Sequence, residues 1–182
     1  MSQRKNTTAF LKECMADALF GLLRNYPLGK LSVQKITDTA GVSRITWFRS
    51  FSSKQEALTY KILRLWERWV DSHGIVRNQS FTTQNASDFF HFNYEIQYIH
   101  TILYSANLQS VLYDAYYQIV QSQSGSDIRD SYRNRFYTYG LLGLLDEWIH
   151  REYRETPEEM TQRFLSIIYN PYEQGILTDH CV

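Results

Sequence analysis

The sequence predicts an all-α protein, and three observations carry that expectation. Apolar residues recur at three- and four-residue spacing along most of the chain. No stretch shows the strict alternation of a half-buried strand, and no internal repeat is visible. A hydrophobic fraction of 43%, with only 8 Gly and 3 Pro among 182 residues, places the chain among sequences that fold rather than stay disordered.

The elements follow in order. Thr7 to Leu23 sets Phe10, Leu11, Cys14, Ala18, Leu19, Leu22 and Leu23 on one side of an amphipathic helix, which Asn25, Pro27 and Gly29 end. Ser32 is placed to cap a short helix, Val33 to Ala40, with Val33, Ile36 and Ala40 inward. Gly41 stops it, because a residue without Cβ takes the left-handed conformation that a tight turn requires. Ser43 caps a second short helix reaching Ser50, and Ser53 caps a helix from Lys54 towards Val70.

After a break near His73 to Thr83, one aromatic-rich helix is expected from Ala86 to about Asn107, and another from about Leu108 to Gln121. Gln121 to Ser126 reads as a polar loop, and Asp127 opens a long helix to His150 or slightly beyond. Thr156-Pro157-Glu158-Glu159 supplies a cap, a first-turn proline and two acids suited to a helix N-terminus, for a last helix ending near Tyr169. That makes eight or nine helices.

Charge divides the chain. Residues 1–60 carry nine Lys/Arg against four Asp/Glu, a balance of +5, whereas residues 61–182 carry ten against fifteen, a balance of −5. A basic amino-terminal third on an acidic body is the distribution expected when one part meets phosphate and the rest does not. Only Cys14 and Cys181 are present, which supports neither a disulfide framework nor a metal knuckle. No run approaches the ~20 apolar residues of a membrane span, and no signal-peptide pattern opens the chain. A cytoplasmic protein with no membrane partner is the expectation. No phosphate-cradling glycine loop, nucleophile elbow or metal-ligand spacing is visible, so neither enzyme activity, nor a cofactor, nor a metal is expected. His91 and His100, nine residues apart on one expected helix, would point to opposite faces.

The segment from Leu31 to Lys54 is the most informative. Two short helices meet at Gly41, with Ile36, Ala40, Val42, Trp47 and Phe51 available to lock them against the first helix. Ser43, Arg44, Thr46 and Arg49 remain as the polar side of a helix narrow enough for the major groove of duplex DNA. Trp47 is assigned to the core, four residues before Phe51.

This segment resembles the TetR (tetracycline-repressor) family of bacterial transcription regulators over residues 7–60. The resemblance lies in Ala18-Leu19-Phe20, Ser32-Val33 with Ile36, Ala40-Gly41-Val42-Ser43, Thr46-Trp47-Phe48, and Phe51 followed by Ser53-Lys54. It implies a three-helix DNA-binding domain with a helix-turn-helix at residues 1–53 and a helical effector-binding and dimerisation domain at 54–182. It further implies phosphate contact by Ser32, groove contact by Arg44, Ile45, Thr46 and Phe48, and a backbone clamp by Lys54 with its helix's N-terminal dipole; Ser43 and Arg49 join the expected DNA-binding set as the polar side of the same helix. There are three departures from the family pattern. Phe48 stands where Tyr is usual, Ile45 where a small residue is common, and Ser50 where a larger side chain is expected.

The same resemblance implies a homodimer that reads a palindromic operator and responds to a small effector. For the interface the sequence offers Leu142, Leu145, Trp148 and Ile149, with Phe164, Ile167 and Ile168 on the last helix; Gly140 and Gly143 would permit close approach. For an effector pocket it offers Phe92, Tyr94, Tyr98, Tyr113, Tyr116, Tyr117, Phe136 and Tyr139, although such rings also fill a core without any ligand. The run from Tyr139 to Ile149 and the Thr156-Pro-Glu-Glu-Met160 start resemble a TetR subgroup that includes regulators of dihydroxyacetone kinase. Phe48 and Ser50, which give up polar reach towards phosphate, motivate an alternative: a protein-interaction subunit whose DNA-binding module is weak or vestigial.

Overall fold

The computed structural model describes residues 2–75, 83–122 and 128–169. Among them are nine α-helices and no strand. They are α1 (Ser2–Leu23), α2 (Val33–Ala40), α3 (Arg44–Ser50), α4 (Lys54–Ser72), α5 (Thr83–Glu95), α6 (Gln97–Ser105), α7 (Ser110–Ser122), α8 (Ile128–His150) and α9 (Pro157–Tyr169), with a 3-10 turn at Leu28–Lys30. The expected loop at 121–126 lies largely outside the described residues.

The helices group into two compact units. The first joins α1 to α4 with α6 and α7, and the second joins α5 with α8 and α9.

In the first unit the core of α1 is Met15, Ala16, Leu19, Phe20 and Leu23. The expected stripe was rotated: Phe10 is 64% exposed, while Met15, Ala16 and Phe20 are buried. Tertiary packing selects among several apolar positions on a helix whose apolar residues lie on more than one side. Ile36 of α2, Trp47 of α3 and Ala57, Leu58 and Ile62 of α4 complete this core. Thr37, a polar residue, is fully buried in α2, where its hydroxyl donates to the Val33 and Gln34 carbonyls.

The single aromatic helix expected at 86–107 is two helices, broken at Ile96. No proline or glycine marks the break; the two pieces pack into different units. His91 and His100 therefore sit on separate helices.

In the second unit, Trp148 is fully buried. Its indole donates to the Glu155 carbonyl at 3.0 Å, and its ring meets Phe90 at 5.8 Å, Tyr94 at 5.9 Å and Tyr153 at 5.1 Å. The turn after α8 places Glu152 and Tyr153 at φ of 58° and 55°, positive values uncommon for non-glycine residues. Trp148 holds that turn from two sides, since its carbonyl also accepts the Tyr153 amide at 2.9 Å. Thr156 then starts α9 with a capping box: Glu159 N donates to Thr156 Oγ1 at 3.2 Å, and Thr156 N to Glu159 Oε2 at 2.8 Å.

Candidate nucleic-acid interface

The geometry of residues 32–54 is built from caps. Ser32 Oγ accepts from Lys35 N at 3.1 Å, and Ser43 Oγ accepts from Thr46 N at 3.3 Å, so both short helices start where the hydroxyls stand. Between them Gly41 adopts φ 67° and ψ 31°, a left-handed conformation, and Val42 N closes the turn on the Thr37 carbonyl at 3.0 Å. The result is a helix-turn-helix.

An aromatic ladder sets the orientation of α3. Trp47 meets Phe51 at 5.3 Å, and Phe51 meets Tyr60 of α4 edge-on at 5.6 Å. The Lys12 ammonium of α1 lies 5.1 Å and 5.3 Å from the Phe51 and Tyr60 rings. Behind the ladder, Glu13 of α1 holds Arg64 and Arg68 of α4, and Asp17 holds Lys61. With Trp47 turned inward, helical periodicity turns Ile45, Phe48 and Arg49 outward, while Arg44 is exposed on the flank at the start of the helix. All four are exposed, Ile45 at 63% and Phe48 at 64%. The Arg44 guanidinium lies 5.9 Å from the Phe48 ring.

Two expected contact residues are placed differently. Thr46 is half-buried, and its hydroxyl shares a 2.9 Å hydrogen bond with that of Ser43, so much of its polar reach is directed inside the helix start. Lys54 is redirected more thoroughly: its Nζ donates to the Leu28 carbonyl at 2.6 Å and the Leu31 carbonyl at 3.0 Å. The ammonium thus holds the 3-10 turn onto α4. The N-terminus of α4 carries an anion of its own, because Glu56 Oε2 accepts from Ser52 N and Ser52 Oγ at 2.6 Å each. Those hydrogen bonds hold the Glu56 carboxyl below its usual pKa. A carboxylate at that terminus offsets part of the helix dipole's attraction for phosphate, and the Lys54 ammonium is engaged by carbonyls in the free protein. The signal that would have shown the carboxylate was Ser53-x-x-Glu56, a capping-box spacing.

Sequence reasoning missed one further contact. Lys35 Nζ stands 3.2 Å from the centroid of the exposed Tyr26 ring.

The effector candidates separate. Tyr98, Tyr113, Tyr116 and Tyr117 belong to the first unit, and Phe92, Tyr94, Phe136 and Tyr139 to the second. Phe92 and Tyr116 are buried at 1% and 3% exposure, whereas Tyr94, Tyr98, Phe136 and Tyr139 are exposed; Tyr113 and Tyr117 stack on one another at 5.9 Å. Of the interface candidates, Leu145, Trp148 and Phe164 are buried in the protomer. Leu142, Ile149 and Ile168 are half-buried, and Ile167 is exposed. The open side of α8 carries Tyr132, Phe136, Tyr139, Gly140 and Gly143. Part of that side, with Phe164, Ile167 and Ile168 of α9, lines an apolar hollow of about 260 Å³. A neighbouring hollow of about 370 Å³ is more polar, with Glu147, Arg151, Glu155 and Arg163 at its wall. Among the described residues no group of three or more His, Cys, Asp or Glu is placed to hold a metal, and no helix is long and apolar enough to cross a membrane.

Fold and turn geometry together define an all-α helix-turn-helix protein. The class is narrowed by its second half: residues 87–170 match a TetR family described as the transcriptional regulator C-terminal region. That similarity runs from within α5 to the end of α9, a little under half of the chain. No curated protein matches the chain.

Proposed function

We propose that the protein is a homodimeric transcription regulator that binds a palindromic operator through α3 and releases or engages it in response to a small-molecule effector. The observation that carries this reading is the division of α3: Trp47 is 2% exposed, while Ile45, Phe48 and Arg49 form one open face with Arg44 exposed on its flank. A helix of ~10–12 Å diameter fits a major groove of comparable width. The basic amino-terminal third supports phosphate attraction, and Ser32, exposed at the start of α2, keeps its hydroxyl proton for a phosphate oxygen. The functional division is residues 1–53 for DNA and 54–182 for effector and dimer.

Dimerisation fits the open side of α8 and α9. Two recognition helices about 34–36 Å apart read the two halves of a palindrome and multiply a weak single contact. Gly140 and Gly143 have no neighbouring atom within 4 Å of where a Cβ would stand, which leaves room for a second helix. The narrower proposal, kinship with a subgroup that includes regulators of dihydroxyacetone kinase, rests on the run from Tyr139 to Ile149 and the Thr156-Pro-Glu-Glu-Met160 start.

The test is fluorescence anisotropy on duplexes selected from a randomised library, with wild type and Arg44→Ala side by side. Sequence-dependent binding that Arg44→Ala weakens supports the reading; absence of any selected sequence refutes it. A second reading, a protein-docking subunit with a vestigial DNA module, draws on the two apolar side chains exposed on α3 and the inward turn of Lys54. It predicts co-purification of a partner through α3 and no selected duplex.

A further inference from the structure

We infer that Ile45 and Phe48 are specificity residues that read the 5-methyl groups of thymines in the major groove. The inference rests on the DNA-binding role proposed above and goes beyond it by naming the base edge recognised.

Ile45 and Phe48 lie three residues apart and so share a face, and each leaves nearly two thirds of its surface open. Neither packs in the protomer's core, where Trp47 fills the place of the buried aromatic. The polar alternatives for base reading on this helix are few. Thr46 shares its hydroxyl with Ser43, and Phe48 has no hydroxyl to give a phosphate. What remains beside the apolar pair is cationic: Arg44 next to the Phe48 ring, and Arg49 one turn beyond Ile45.

An occupant of this face must therefore combine negative charge around its edge with apolar surface at its centre. Duplex DNA meets the first condition with its phosphates. On the floor of the major groove, the one apolar feature among the four base edges is the thymine methyl. Two adjacent apolar side chains accordingly select sites with neighbouring thymines, while Arg44 and Arg49 hold the helix between the phosphate walls or reach a guanine beside them.

The experiment uses the full chain. A duplex selected from a randomised library is resynthesised with uracil in place of each thymine in turn, which removes the methyl and keeps the base pairing. Loss of about fourfold in affinity per contacted methyl is expected, the scale of burying one methyl-sized group. Ile45→Ala and Phe48→Ala, both at exposed positions, should each lose the discrimination at one contacted thymine, and the double variant should bind the thymine and uracil duplexes alike, with unchanged melting temperatures. Equal wild-type affinity for both duplexes would overturn the thymine reading and leave the DNA-binding role standing. Failure to select any duplex would overturn both and assign the apolar face of α3 to a protein partner.

Discussion

At the scale of single residues, the outcome depends on which atom of a side chain finds a partner inside the fold. Arg44 and Lys54 are both basic, yet Arg44 is exposed and Lys54 bonds two carbonyls. Their substitutions should separate accordingly. Arg44→Ala should weaken binding to the selected duplex by ~1–3 kcal/mol, the scale of one base contact, with little change in stability. Lys54→Met should do the reverse. It keeps the aliphatic stem but loses charged hydrogen bonds, costing about 1.5–3 kcal/mol of unfolding free energy. The slope of binding against salt concentration should stay as it was; a slope flattened by about one unit would return Lys54 to the phosphate contacts. His100 supplies a third test. It is fully buried in α6, and burial holds its pKa down to about 3 from an ordinary 6.5. The unfolded chain therefore binds this proton more readily than the folded one between about pH 3 and 6.5. Stability should rise with pH across that window by up to ~1.4 kcal/mol per pH unit and level off above it. Urea titrations between pH 5 and 6.5 should show this slope in the wild type and lose it in His100→Gln; an equal slope in both would show that the imidazole is not its source.

At the scale of elements, short helices need outside support, because seven or eight residues are too few to hold a helix alone. For α3 that support is the ladder of Trp47, Phe51 and Tyr60 together with Lys12. Trp47→Ala should cost about 3–5 kcal/mol, the range for emptying a large aromatic site. Denaturant midpoints would register this, and duplex binding should fall with it because α3 loses its fixed presentation. The turn between α8 and α9 depends in the same way on Trp148, through its indole bond to the Glu155 carbonyl and the ring of Tyr153. Burial pushes the Tyr153 phenol well above its ordinary pKa, so this ring stays neutral against Trp148 throughout the working range.

At the scale of the whole molecule, the open side of α8 and α9 is the surface that a second copy would cover. Phe136, Tyr139, Gly143 and Ile167 are exposed there, whereas Leu145 and Trp148 face inward. Gly143→Arg has room in the protomer and should leave its helix content intact. If the proposed homodimer forms through this face, the variant should sediment as monomer where the wild type sediments as dimer. Operator affinity should fall together with the loss of the second recognition helix, while a variant that sediments as the wild type would move the interface elsewhere.

Residue order alone was enough to read the helical class, the starts of α2, α3, α4 and α9, and the left-handed turn at Gly41. Each is a local matter, in which a hydroxyl or a missing Cβ acts on backbone within a few residues. The outward set on α3 was legible for a related reason: one large aromatic, Trp47, has only one side of a short helix to occupy. Tertiary structure alone decided the rest. It rotated the buried stripe of α1 and split 83–105 at Ile96 without a breaker residue. It turned Lys54 onto carbonyls 23 and 26 residues away, and divided the aromatic residues between two units. These outcomes depend on which surface arrives from a distant part of the chain. Apolar periodicity says only that a helix has a side to bury, not which of several sides meets a neighbour.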